Sequence, residues 1–275
     1  MTTVLYHANC YDGFGSAWAA YQEFGEAATY QPVKYGEPIP EIPDSERVLI
    51  VDFSYPRDVL VPLAERCDLT VLDHHKTAEA ELAGLPFCTF NMHKSGAMLT
   101  YEHMFPQHII VPPLIEYIQD RDLWRFFRPG SREIHAWLTS WPMNFDTWDD
   151  LDEKLLTDLD SCVTEGTALL RLERQQTERI ADAARWMEIV GYKVPVTNAS
   201  LLFSEVPELL CERHPEAPFA AYYVDRADGK RQWGLRSRGE FDVSEIAKKY
   251  GGGGHRNASG FVTEIPRGED VLGGP

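Results

Sequence analysis

Long hydrophobic runs are missing from this chain: no apolar stretch among its 275 residues approaches the ~18 needed to span a bilayer. The first residues also lack the basic start and apolar core of a secretory signal, so a cytoplasmic protein without membrane partners is expected. Paired cysteines are missing too. Cys10, Cys67, Cys88, Cys162 and Cys211 are odd in number, widely spaced and form no CxxC motif, which argues against a disulfide scaffold. Positive charge is scarce: 26 Lys and Arg stand against 43 Asp and Glu, a net −17. Duplex nucleic acid needs cations along its phosphates, so a sequence-independent duplex binder is excluded as the expectation. A small phosphorylated substrate, held by a local basic patch and metal ions, remains compatible. The GxGxxG fingerprint of dinucleotide folds is not matched; Gly13-Phe14-Gly15 alone is a weak fragment of it.

What the chain does have is a set of apolar runs that each end in His or Asp. Val4-Leu5-Tyr6 leads to His7 and then Asp12-Gly13, Val48 to Val51 leads to Asp52, and Leu69 to Leu72 leads to Asp73-His74-His75. Further on, a predicted helix reaches Asp120 and Asp122. A buried carboxylate costs several kcal/mol unless cations or hydrogen bonds compensate it, so three such strand ends point to a di-metal cluster. Packing alone leaves simpler readings open: a hydrogen-bonded core histidine for His7, a turn aspartate for Asp52.

Up to about residue 150, strands without polar alternation are joined by helical stretches. That pattern predicts an α/β domain with a parallel sheet covered by helices on both faces, and ligands of such sheets sit at the carboxyl ends of the strands. Residues 151–190 carry apolar positions at helical spacing and read as a helical connector. Residues 191–275 read as a smaller C-terminal α/β domain with a mixed sheet. Its expected strands are Ser200 to Phe203, Phe219 to Val224 and Gln232 to Arg236, with a hairpin turn at Asp228-Gly229. A helix from Val243 to Tyr250 runs into Gly251-Gly252-Gly253-Gly254-His255, and the tail after Ile265 is expected to fray. Four glycines leave backbone N–H groups open to an anion, although one would suffice as a helix stop. Between Gly229 and Arg256, seven basic residues face three acidic ones, so this segment is +4 and the remainder −21.

Taken together, these motifs resemble the DHH phosphoesterases of the DHH–DHHA1 subclass, which include nanoRNases (oligoribonucleases), cyclic-dinucleotide phosphodiesterases and RecJ-like exonucleases. Asp73-His74-His75 looks like the motif that names the family. Val51-Asp52-Phe53-Ser54 resembles the bridging-aspartate motif, His7 with Asp12-Gly13 the first metal motif, and Asp120 the fourth. GGGGHRNASGF from Gly251 to Phe261 resembles the phosphate-recognising segment of the DHHA1 domain, preceded by Leu235-Arg236-Ser237. The resemblance implies Mn²⁺, two ions, with Mg²⁺ or Co²⁺ as substitutes, on His7, Asp12, Asp52, His74 and Asp120. It implies catalytic roles for Asp52, His74 and His75 with Asp73 in support, and substrate contacts from Arg236, Gly253, Gly254, His255, Arg256 and Asn257. Cys10 stands where many relatives have an aspartate, and Arg256 where proline is common. The implied activity is hydrolysis of phosphodiester or phosphomonoester bonds by two-metal water activation. Short single-stranded oligonucleotides come first as substrates, then nucleoside bisphosphates and linear or cyclic dinucleotides. A non-catalytic nucleotide-binding relative and a pyrophosphatase are the alternatives, and a homodimer stays open.

Overall fold

The computed structural model describes residues 1–265, and the tail expected to fray lies outside the described residues. The chain divides into two compact units, Met1–Arg171 and Leu172–Pro275. The first contains strands β1 (Thr2–His7), β2 (Ala28–Val33), β3 (Arg47–Val51), β4 (Asp68–Asp73) and β5 (Cys88–Phe90). They form one wholly parallel sheet in the order β2-β1-β3-β4-β5. Helices α1 (Tyr11–Phe24), α2 (Arg57–Arg66), α3 (Lys76–Glu81) and α4 (Gly96–Met104) alternate with these strands; α5 (Pro113–Asp122), α6 (Ser131–Leu138), α7 (Phe145–Thr157) and α8 (Leu159–Asp182) follow.

The apolar strands are buried on both faces. Val4, Leu49, Val51 and Leu72 pack with Ala20 of α1 and Leu99 of α4, whereas Leu5, Val48, Ile50 and Val71 pack with Leu60 and Leu63 of α2. This period of two, with both sets apolar, removes the polar alternation of a one-sided sheet. A further core gathers Phe14, Trp18, Ile118, Trp137, Trp148 and Leu151 from the helices around α5. At about 25 cal/mol per Å² of apolar area, these layers supply most of what holds the strand tips in place.

The second unit forms a mixed six-stranded sheet from β6 (Arg185–Ile189), β7 (Tyr192–Asn198), β8 (Phe219–Asp225), β9 (Lys230–Ser237), β10 (Gly253–His255) and β11 (Ala258–Glu264). Only β7 and β8 run parallel. Helices α9 (Glu205–Arg213) and α10 (Ser244–Lys248) complete it. Gly229, at φ 79°, ends the β8–β9 turn at Asp228-Gly229. Ser200 to Phe203 is not a strand. Leu202 takes φ 57° and its carbonyl accepts the Val206 N–H, so this apolar run turns the chain into α9. Within the segment 151–190, α7 packs Leu151 and Leu155 into the core of the first unit, and β6 pairs with β7 in the second sheet. Among the described residues no helix is long and apolar enough to cross a membrane.

Candidate metal centre

Sheet register places the reactive residues in one row. Tyr6 pairs with Val51 and Val51 with Leu72, so the next residues along these parallel strands are His7, Asp52 and Asp73. Asp12 joins them from the first turn of α1. Its carboxylate accepts the N–H of Gly96 (2.6 Å, Oδ2) and of Ala97 (2.9 Å, Oδ1), the first two residues of α4. Two glycines permit the approach. A Cβ on Gly13 would lie 2.2 Å from the His7 carbonyl oxygen, and one on Gly96 would lie 2.4 Å from Asp52 Cβ. Asp52 itself sits at φ 53°, a left-handed conformation that Asp tolerates better than most residues.

Asp52, 1% exposed, is the hub. Its Oδ1 lies 3.1 Å from His74 Nε2 and its Oδ2 lies 3.6 Å from His7 Nδ1. His74 Nε2 also lies 3.4 Å from Asp12 Oδ2 and 3.6 Å from Asp122 Oδ2. Ligand-type atoms of this unit therefore gather in three neighbouring groups, His7–Cys10–Asp52, Asp12–His74–Asp122 and Asp52–Asp73–His75, and Asp52 reaches all three. Asp73 is already engaged. It is fully buried and accepts Ser54 Oγ–H (2.6 Å), the His74 N–H (2.7 Å) and the His75 N–H (3.2 Å), with His75 Nδ1 at 2.7 Å. Its carboxylate is saturated, and its effect is to fix the imidazole of His75.

Charge is frustrated in this pocket. Burial, then Asp52 and Asp122, push the Asp12 carboxyl well above the usual carboxylate range, and burial raises Asp122 as well. Burial alone would raise Asp52, but the neighbouring imidazoles of His7 and His74 hold it well below that range. Burial opposes a charged His74, yet Asp122, Asp52 and Asp12 outweigh it and lift the imidazolium to about 11. A pocket so arranged selects positive charge. Asp52 Oδ2 and Asp122 Oδ2 are buried without a hydrogen bond, which leaves lone pairs for which a cation is the fitting partner. Carboxylate and imidazole donors suit Mn²⁺, Mg²⁺ or Co²⁺. Burial, followed by Asp52, Asp12 and Asp122, pushes the Cys10 thiol up, so it adds a neutral donor where a carboxylate would add charge.

One residue expected as a ligand lies elsewhere. Asp120 is not at the cluster: its carboxylate accepts the N–H groups of Phe127 (2.9 Å) and Arg128 (3.0 Å) and holds the turn after α5. Asp122 takes the place. Residues two apart on a helix point about 200° from one another, so only one of the pair can face the strand tips. The sequence also gave no sign of Tyr35, whose ring stands 5.4 Å from that of His7 and 6.2 Å from that of His75.

In the second unit, Gly253, Gly254 and His255 lie on β10 and Arg236 on β9. Arg236 Nε donates to Glu208 at 3.2 Å. Arg256 was expected to face a substrate, yet it donates to the Glu240 carboxylate (2.6 Å) and carbonyl (2.9 Å). Asn257 donates to Ser237 Oγ and the Gly239 carbonyl, which closes its own loop. Part of the glycine run has backbone causes. Gly251 sits at φ 74° and Gly254 at φ 134°, and a Cβ on Gly252 would meet the Gly260 carbonyl oxygen at 2.1 Å.

Comparison with known proteins bears first on the second unit. The family model of the DHHA1 domain matches residues 204–272. An α/β unit bearing the Asp-His-His row precedes it. The chain carries a DHHA1 domain. Over 283 aligned residues the chain is 30% identical to an uncharacterised protein of Acanthamoeba polyphaga mimivirus, covering 94% of the chain and 66% of that protein's length. Among solved structures, its fold is similar to an exopolyphosphatase-related protein from Bacteroides fragilis (TM-score 0.53, 13% identity, 98% of this chain and 87% of that one). A looser likeness is to the pGpG-specific phosphodiesterase PggH of Vibrio cholerae (TM-score 0.49, 16% identity, 96% and 93%).

Proposed function

We propose that this DHH–DHHA1 protein is a metal-dependent phosphoesterase that hydrolyses phosphate esters of short single-stranded oligonucleotides or small nucleotides in the cytoplasm. One observation carries the reading: Asp52 stands between His7 on one side and His74 with Asp12 and Asp122 on the other, with lone pairs left over. His7, Asp12, Asp52, His74 and Asp122 would hold two divalent cations. Bound there, Mn²⁺ would supply Lewis acidity and a nucleophile at neutral pH.

The chain's own residues do the rest. The N-terminal amides of α4 lock the Asp12 carboxylate in one orientation, so it needs no rearrangement when a cation arrives. Asp73 holds His75 by Nδ1 and so fixes the orientation of that ring, which would donate to a phosphate oxygen on which charge builds. Within the DHHA1 unit taken by itself, Arg236 and His255, with the amides of Gly253 and Gly254, would bind phosphate. Arg256 and Asn257 would keep that loop in shape, because Glu240 and Ser237 already engage them.

Asp52→Asn keeps the volume of the hub and removes its charge. Incubated with Mn²⁺ and a diribonucleotide, the variant is expected to lose at least about a thousandfold in rate while its circular dichroism stays native. Undiminished turnover by the variant would overturn the proposal. Cys10 supports one other reading, a binding module without turnover, because a neutral thiol offers less than the aspartate of many relatives. Metal analysis separates the two: two Mn²⁺ equivalents per chain support the enzyme, none the binding module.

A further inference from the structure

Residues 121–132 carry four arginines, Arg121, Arg125, Arg128 and Arg132, against one carboxylate, Asp122, in a chain of net charge −17. Two of them hold the protein together. Arg128 pairs with Glu116 at 2.6 Å, and Arg125 donates to the His93 carbonyl at 2.8 Å. The other two lie over aromatic rings. The Arg121 guanidinium stands 4.1 Å from the Trp124 ring centroid and that of Arg132 stands 3.6 Å from the Phe126 centroid. The two rings are 5.0 Å apart at 75°. Phe127, next in the chain, is 84% exposed.

Local stability does not account for this loop. Trp124 and Phe126 adopt φ 55° and 53°, a left-handed conformation that bulky side chains avoid. Asp120 enforces it. Its carbonyl accepts the Arg125 and Phe126 N–H groups, and its carboxylate accepts those of Phe127 and Arg128. The clamped loop begins at Asp122, one of the candidate ligands, and the charge of Arg121 is felt there.

We infer that this arginine–aromatic loop is a nucleobase subsite, stacking a planar base against the guanidinium-capped rings of Trp124 and Phe126 next to the reactive phosphate. The inference rests on the phosphoesterase reading and narrows its substrates to ring-bearing nucleotides. Arg with aromatic side chains is the combination that holds bases without reading their sequence. Pyrophosphate or polyphosphate, having no ring, would leave the rings unused.

The test is calorimetric titration of the full chain in EDTA, first with AMP and then with ribose 5-phosphate, so that neither metal nor turnover enters the readout. AMP is expected to bind roughly tenfold tighter or more, as stacking predicts. Trp124→Gly and Phe126→Gly remove each ring where glycine is the residue the backbone prefers, so folding should survive. Both are expected to lower AMP affinity about tenfold and leave ribose 5-phosphate within about twofold. Arg132→Gln, at an exposed position, is a third variant that does not burden folding and should weaken AMP in the same direction. Equal binding of the two ligands by the parent, binding of neither, or an AMP preference that persists in the folded variants would each overturn the inference. Hydrolysis of a diribonucleotide with Mn²⁺ is scored separately. A chain that prefers AMP but does not hydrolyse keeps the subsite and loses the enzyme; one that hydrolyses without a base preference does the reverse.

Discussion

At the scale of single residues, Asp120 and Asp122 are chemically identical and separated by one arginine, yet they do different work. Asp122 has a buried lone pair in the cluster, whereas Asp120 is spent on backbone amides. Asp122→Asn is expected to cut bound Mn²⁺, measured by mass spectrometry of metals, with little loss of stability. Asp120→Asn should keep the metal and lower stability by about 1–3 kcal/mol in urea melts, since one charged acceptor is lost. Asp152 offers a different test. Burial raises its carboxyl to about 6, although it accepts the Leu114 N–H at 2.9 Å. Its folded value lies above the unfolded one near 3.9, so its charge weighs on the folded state above pH ~6 and not below ~4. Asp152→Asn, which keeps the acceptor, should match the parent at pH 4 and exceed it at pH 7. The gain should be about 1 kcal/mol after allowance for solvent, read from paired urea melts.

At the scale of elements, the centre depends on how closely helices meet strand tips. The amides of Gly96 and Ala97 at the start of α4 reach Asp12 only because Gly96 has no side chain. Gly96→Ala is therefore expected to lower thermal stability, by about 1–3 kcal/mol, and to weaken Mn²⁺ binding together with activity, since backbone and Asp52 must part. Native stability with unchanged metal affinity in this variant would show that the contact is dispensable. Elements were unevenly legible in the sequence. The apolar runs of β1, β3 and β4 and the Asp or His at each tip could be read directly, because burial on both faces leaves a simple pattern. The short edge strand β5 and β2 with its Pro32 carry no such pattern. Ser200 to Phe203 looked like a strand because apolar composition alone does not separate a strand from a turn that packs on a helix.

At the scale of the whole molecule, at least four carboxylates lie close together around His74 and His75 in the first unit, and bound cations would relieve their mutual repulsion. Mn²⁺ at 100 times its dissociation constant should stabilise the fold by about 2.7 kcal/mol, and EDTA should reverse the shift in a thermal melt. An unmoved melting temperature, with metal shown to be absent, would contradict the assignment of the centre. The alternation of apolar runs and helices determined the parallel sheet, and the sheet's polarity put His7, Asp52 and Asp73 at one edge; short-range sequence suffices there because each strand's pattern is local and parallel strands share a carboxyl edge. Tertiary structure alone decided that Asp122 and not Asp120 turns inward, that Arg256 and Asn257 bind their own loop, and that arginines cap the rings of Trp124 and Phe126. Those outcomes depend on which face of a helix or turn meets which neighbour, and that is settled by packing between segments distant in the chain.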